Sequence, residues 1–215
     1  MRSPIKYILS SNVMWRLTGL TYTTAVIATN GRYVPKTKHV NIERCQMKKF
    51  FPYLGKNKSV LEFGCGPGKN LFAIADLVKT GYGIDVNSRY IRVAKRLAER
   101  YNFNNLNFLE YDGTIFPDIP KVDLIFEKGV FERLDKTTIR SYVEKLKRYL
   151  NENGIIILYF LIKKAQGTEF TKRLGDSAYV FWDDDEIQRM LNEIGLRIKE
   201  IIRAEYADYY LCEPS

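Results

Sequence analysis

From Ser59 onward the chain alternates between two hydrophobic spacings. Short apolar runs are separated by stretches in which apolar residues recur every three or four positions. That is the pattern of strands and helices alternating around a parallel sheet. Ser59–Phe63 (SVLEF) predicts a first strand, broken by GCGPG, and helical spacing resumes over Asn70–Lys79. Tyr82–Val86 predicts a second strand. Arg89–Tyr101 predicts an amphipathic helix with Ile91, Ala94, Leu97, Ala98 and Tyr101 on one face. Leu106–Tyr111 and Val122–Glu127 predict two further strands. Lys136–Leu150 predicts a helix capped by Asp135, its stripe formed by Ile139, Tyr142, Val143, Leu146 and Leu150. Asn153-Gly154 turns the chain into Ile155–Leu161, apolar on both faces as a central strand is. A long polar connection, Lys163–Trp182, leads to a helix opened by Asp183-x-x-Glu186 and closed by Gly195. Arg197–Arg203 and Tyr206–Cys212 predict an antiparallel pair at the sheet edge.

Composition narrows the class. Of 215 residues, 46% are hydrophobic and 27% charged, which excludes wholesale disorder and a bundle of membrane helices. The apolar stretch Val13–Thr29 carries Arg16 and several threonines, so no membrane span is expected. The first residues, MRSPIKYILSSN, do not read as a secretory signal. Three cysteines, Cys45, Cys65 and Cys212, make no disulfide framework and no zinc spacing. No metal is expected, and the expected setting is the reducing cytoplasm.

Charge divides the chain. The net charge is +9, yet residues 1–58 hold eleven Lys or Arg against one acid, Glu43. The remainder is nearly balanced. Two units follow: a basic segment, 1–58, and a core, 59–215. The basic segment reads either as a solvated surface or as an arm for an anionic partner such as nucleic acid.

The chemistry concentrates in Glu62-Phe-Gly64-Cys-Gly66-Pro-Gly68, between the first strand and a helix. Glycines there let the chain turn sharply and let a ligand lie against the main chain. A dinucleotide fingerprint would need glycine at position 69, where Lys69 stands, and no P-loop G-K-[ST] follows. That disfavours a nicotinamide oxidoreductase. Asp85, ending the second strand, is an acceptor suited to the two hydroxyls of a ribose. Asp112, after the third strand, suits the exocyclic amine of an adenine. As bland alternatives, Asp85 caps a helix, Asp112 makes a turn and Cys65 fills the loop.

VLEFGCGPGKN, Asp85, Asp112, KRYLNENGIIIL (147–158) and VFWDDDEIQRMLNEIGLRI (180–198), in this order, resemble the class I S-adenosylmethionine-dependent methyltransferases. The resemblance covers about Ser59–Cys212. It implies a Rossmann-like, doubly wound, mostly parallel seven-stranded α/β sheet of order 3-2-1-4-5-7-6, with strand 7 antiparallel and an N-terminal helical lid. It implies S-adenosylmethionine as cofactor and S-adenosylhomocysteine as product. By the same resemblance the cofactor would be held by Glu62, Gly64, Cys65, Gly66, Gly68, Asp85, Val86, Asp112, Gly113 and Glu127. Acceptor contacts are expected from Trp15, Tyr22 and Tyr33 of the lid, and from Phe131, Arg133, Tyr179 and Trp182. Arg133 stands where many relatives have histidine, and Glu127-Lys-Gly129 replaces the N/D-P-P-Y motif of base-amino methyltransferases.

His39, the only histidine, and Glu132 are the candidates for a general base. The reading is methyl transfer to the nitrogen or oxygen of a small molecule. Its rivals are an RNA or protein methyltransferase that docks its substrate through residues 1–58, and a binding module without turnover.

Overall fold

The computed structural model describes residues 47–166 and 179–215. One sheet organises them: β1 Gly55–Phe63, β2 Val78–Asp85, β3 Leu106–Glu110, β4 Val122–Glu127, β5 Leu150–Leu161, β6 Leu196–Ile202 and β7 Ala207–Pro214. Its order is β3-β2-β1-β4-β5-β7-β6. Strand β7 runs antiparallel to both neighbours, and all other pairs are parallel. This is the expected topology.

Among the described residues four α-helices cover the sheet: α1 Lys69–Ile74, α2 Ser88–Arg100, α3 Lys136–Lys147 and α4 Asp184–Glu193. On one face Leu71, Phe72 and Ile74 of α1 join Ile91, Val93, Ala94 and Leu97 of α2 in a core with Val60, Phe126 and Ile157. On the other face Ile139, Val143 and Leu146 of α3 and Ile187 and Leu191 of α4 pack on Phe63, Ile125, Ile156 and Leu158. Alternate residues of β5 thus enter opposite cores, which explains a run apolar on both faces. Asp135 caps α3 by accepting from Thr138 N at 2.9 Å. The capping box of α4 is present, Glu186 accepting from Asp183 N at 3.1 Å.

Several expected boundaries move, each because pairing with a neighbouring strand overrides local spacing. The helix expected over Asn70–Lys79 stops at Ile74, and a 3-10 turn covers Ala75–Leu77. Val78 is recruited into β2 by pairing with Gly55. Strand β1 itself begins four residues before Ser59, its polar start exposed, so a division placed between 58 and 59 falls inside the strand. The helix expected to reach Leu150 ends at Lys147. Leu150 instead pairs with Val122, and the register jumps so that Ile155 pairs with Leu124. Asn151–Gly154 form an excursion there, held by Asn151 Nδ2 donating to Asp123 Oδ1 at 2.8 Å. The other oxygen of Asp123 accepts from Ser59 N at 2.7 Å and from Ser59 Oγ at 2.9 Å. One carboxylate therefore joins β1, β4 and β5 at the end of the sheet opposite the glycine loop.

Most of the expected lid, with Trp15, Tyr22, Tyr33 and His39, lies outside the described residues. The last residues of the 1–58 segment are not lid, since Met47 and Phe50 are buried in the core and Gly55–Lys58 open β1. The middle of the Lys163–Trp182 connection also lies outside the described residues. Its ends do not: Lys163 N donates to Trp182 O and Trp182 N to Leu161 O, at 3.0 and 2.9 Å. Ile162 and Trp182 thereby form a parallel bridge continuing β5.

Candidate functional site

The carboxyl ends of β1, β2, β3 and β4 carry Glu62, Asp85, Asp112 and Glu127, around the loop 64–68. Open parallel sheets place their ligands at this end. Gly64 N and Cys65 N both donate to Ile84 O, at 2.8 and 3.1 Å, which fixes the loop over β2. Gly64, Gly66 and Gly68 have φ of +72°, +53° and +82°. Two of these glycines serve different ends. A Cβ on Gly64 would stand 2.0 Å from Val130 Cγ2, so the loop packs directly on the turn after β4. A Cβ on Gly66 would meet nothing nearer than Tyr90 Cδ2 at 4.0 Å; here the loop faces open space in which a ligand can approach the main chain.

Asp85 accepts from Gly66 N through Oδ2 and from Asn87 N through Oδ1, both at 2.8 Å. It is not the cap of α2; Asn87 is, accepting from Arg89 N and Tyr90 N at 3.1 and 3.3 Å. Val86 beside it is 54% exposed. Asp112 directs Oδ1 to Thr114 N, Thr114 Oγ1 and Ile115 N, at 2.8, 2.7 and 2.7 Å. Those donors hold its carboxyl down at about 2, and Oδ2 takes none of these bonds. The loop 112–116 lies on Tyr111, Phe116, Phe63 and Tyr142 packed ring to ring, and Tyr142 OH donates to Gly113 O at 2.8 Å.

Glu62 is 2% exposed. Its Oε1 accepts from Asn70 Nδ2 at 2.6 Å, while Glu62 Oε2 and Asn70 Oδ1 are buried without a partner among the described residues. Burial pushes this carboxyl up to about 8, against the bond from Asn70 and the charges of Lys69 and Lys128. Glu127, fully buried, is pushed to about 8 for the same reason. Its Oε1 accepts from Val130 N at 2.5 Å and Phe131 N at 3.2 Å, and Oε2 from Tyr159 N at 3.4 Å. Both oxygens thus serve the main chain, so Glu127 is the clamp of the turn that supports Gly64. Cys65 is buried, its thiol donating to Gly66 O at 3.4 Å; burial, and after it the charges of Glu62 and Asp85, raise its pKa. It fills the loop and is no nucleophile.

Beyond β4 the structure brings Glu132, Arg133 and Tyr179 together. Arg133 Nη2 donates to Tyr179 OH at 2.6 Å, and its guanidinium lies 4.7 Å from that ring's centroid. Val180 N donates to Glu132 O at 2.8 Å. The Glu132 side chain is half-buried, makes no hydrogen bond among the described residues, and is raised in pKa by burial against the pull of Arg133. Phe131 and Trp182, expected to line the acceptor site, sit in the core instead. They are 1% and 4% exposed and pack on either side of Phe160, because that core needs aromatic volume. A separate surface cavity of about 390 Å³, lined by Lys95, Glu99, Phe103 and Phe108, holds none of these acids.

Two features escaped the sequence reading. Asn70 is the one polar residue in the otherwise apolar buried run NLFAI, and that interruption was its signal. Ile115, 74% exposed next to the Asp112 loop, left no signal, since exposure is not written in a sequence.

Residues 54–193 match the family model described as "Methyltransferase domain". The chain is 24% identical over 142 residues to the "Probable S-adenosylmethionine-dependent methyltransferase CRG1" of Saccharomyces cerevisiae. That match takes in 65% of this chain and 47% of the yeast protein, so it spans about half the length of that relative. A SAM-dependent methyltransferase from Aquifex aeolicus superposes with a TM-score of 0.65 at 16% identity, over 90% of this chain and 98% of that one. The mitomycin 7-O-methyltransferase MmcR superposes at 0.66 and 12% identity, over 98% of this chain and 60% of that one. At such identities the structural likeness is one of fold. Matched through 65% of its length by the family model and built on the expected strand order, the chain belongs to the methyltransferase-domain family, of the class I, S-adenosylmethionine-dependent kind.

Proposed function

We propose that this chain transfers a methyl group from S-adenosylmethionine to a nitrogen or oxygen of a small molecule. One observation carries the cofactor half: the open face of Gly66 lies against Asp85 in a loop whose floor is the half-satisfied pair Glu62–Asn70. A buried carboxylate oxygen without a donor fits a cationic ligand. When bound, the cofactor supplies a methyl on a positively charged sulfur, already activated for transfer.

The chain's own residues bind and orient. The Asp85 carboxylate has lone pairs left to accept from ribose hydroxyls, and Asp112 Oδ2 is placed to accept from an adenine amine. Val86 and Ile115 offer exposed apolar surface for the purine. Gly64, Gly68 and Gly113 set the backbone curvature of that cleft, while Cys65 and Glu127 support it from beneath. Most of the rate then comes from holding the acceptor in line and excluding water. Glu132 would take the proton that the acceptor gives up as it is methylated. Burial raises its pKa, against the pull of Arg133, and so makes it a stronger base than an exposed carboxylate. Arg133 and Tyr179 form the acceptor wall, together with a lid supplied by the part of the basic segment that precedes Met47.

The small-molecule reading is supported by the short polar rim at Glu132, Arg133 and Tyr179, and by the near-balanced charge of residues 59–215. The basic residues of 1–58 favour a second reading, an RNA or protein substrate docked on that segment. We place the reaction in the cytoplasm, where free thiols such as Cys65 and Cys212 stay reduced. Methyl-labelled S-adenosylmethionine, incubated with the protein and cell extract, tests the choice, with Asp85→Ala as control. Label in the soluble fraction supports the first reading, and label in acid-precipitable RNA or protein supports the second.

A further inference from the structure

Helix α2 turns a row of arginines to solvent. Arg89, Arg92, Arg96 and Arg100 recur every three or four positions, so at about 100° per residue they fall within roughly 80° of one helix face. All four are exposed, while Ile91, Ala94 and Ala98 on the opposite side are buried in the core. With Lys95, α2 carries five cations against one acid, Glu99, whereas the rest of 59–215 holds more acids than bases. The row is about 16 Å long, with a cation at nearly every turn.

The row leads to an aromatic-walled cavity. The Arg100 guanidinium lies 5.5 Å from the centroid of the Tyr101 ring, which is 45% exposed. Beside it the surface cavity of about 390 Å³ opens between α2 and β3, walled by half-buried Phe103 and by the exposed amides of Asn104 and Asn107. Among the described residues β3 pairs with β2 alone, so main-chain polar groups along its outer edge are open beside that cavity. Cations repeated at each turn match an anion repeated along a chain, and the guanidinium fork suits phosphate. A ring, two amides and an open strand edge suit a planar base with polar edges. The apolar residues of α2 lie in the core, which leaves no apolar row to enter a bilayer.

We propose that α2 and the edge of β3 dock a single-stranded nucleic acid, its phosphates along Arg89–Arg100 and one unstacked base in the cavity. A duplex keeps its bases paired and offers the cavity none. The cavity holds none of the cofactor-site acids, so the inference goes beyond the methyl-transfer reading and stands whichever acceptor is methylated.

The test is fluorescence anisotropy of labelled U12 RNA with the full chain, between 50 and 200 mM salt. Arg92→Gln with Arg96→Gln removes two charges from the middle of the row and keeps good helix formers there. This double variant is expected to bind U12 at least fivefold more weakly, at an unchanged urea midpoint. Its slope of log K against log salt should be shallower by about 1.4, at about 0.7 per lost phosphate contact. Ultraviolet crosslinks from 4-thiouridine placed in U12 are expected within residues 89–110. Unchanged affinity in the double variant, crosslinks confined to 1–58, or a wild type that ignores U12 overturns the proposal. So does binding dodecaglutamate, duplex RNA or phosphatidylserine vesicles as tightly as U12, since each lacks a free base.

Discussion

Asp85 reaches back nineteen residues to accept the Gly66 N–H at 2.8 Å, making the end of β2 and the glycine loop one hydrogen-bonded unit. The carboxylate proposed to hold a ribose is therefore also the anchor of the loop it faces. Asp85→Ala removes both. It is expected to weaken S-adenosylhomocysteine by about two orders of magnitude, and to lower stability by about 1–3 kcal/mol through the orphaned N–H groups of Gly66 and Asn87. Calorimetry and urea unfolding measure the two effects separately. Unchanged stability would show that the anchor carries no load.

Gly64 and Gly66 share positive φ and differ in surroundings. Gly64→Ala drives a methyl into Val130, so it is expected to unfold the protein at lower urea than Gly66→Ala does, and Val130→Ala should recover part of the loss. Gly66→Ala costs about 1 kcal/mol in backbone strain and puts its methyl into the open cleft, so its main effect is on ligand affinity. The reverse ranking would contradict the packing described.

Glu62 and Glu127 give stability a sign with pH. Burial raises both carboxyls from 4.5 to about 8, so the folded chain binds more protons than the unfolded chain between those limits. Their stabilising contribution is full below about 4.5 and is lost as pH rises through 8. The ligand-free protein is expected to melt at lower temperature at pH 8.5 than at pH 6. Each group contributes a slope on the order of 1 kcal/mol per pH unit inside the window. Glu127→Gln should flatten the curve. Asp112, held near 2, acts only below this range.

Glu132 separates binding from chemistry. Glu132→Gln removes a base and leaves the cofactor cleft intact, so S-adenosylhomocysteine affinity should stay within twofold. The rate with a hydroxyl acceptor should fall about 10²–10⁴-fold, with loss of the acidic limb of the pH profile. A variant at full rate would assign the proton to another group, with His39 next to be tested.

The alternation of spacings, the glycine loop and the acids after strands one to three were legible because each is a local pattern. The sheet order came from resemblance, and the pairings match it. Three things were hidden. The start of β1 is polar because Lys56–Lys58 fall in a register break between the pairs Gly55–Val78 and Ser59–Thr80, so no apolar run marks Gly55–Lys58. Phe131 and Trp182 read as cleft aromatics because a sequence does not say whether a ring faces Phe160 or a ligand. Asn70 read as an ordinary helical residue, since its partner Glu62 lies eight residues back on another element.

The position of β7 also governs when the sheet can close. Among the described residues strand β6 pairs only with β7, and β7 comes after it in the chain while lying between it and β5. During synthesis β6 must wait, its edge open, until β7 has emerged and slotted against Ile156–Leu161. The Glu62–Asp85–Asp112 end, built entirely from earlier strands, can assemble before that moment. The sheet is thus closed out of chain order, and the charges of Arg197, Lys199 and Glu200 along β6 oppose edge-to-edge association until β7 pairs with it.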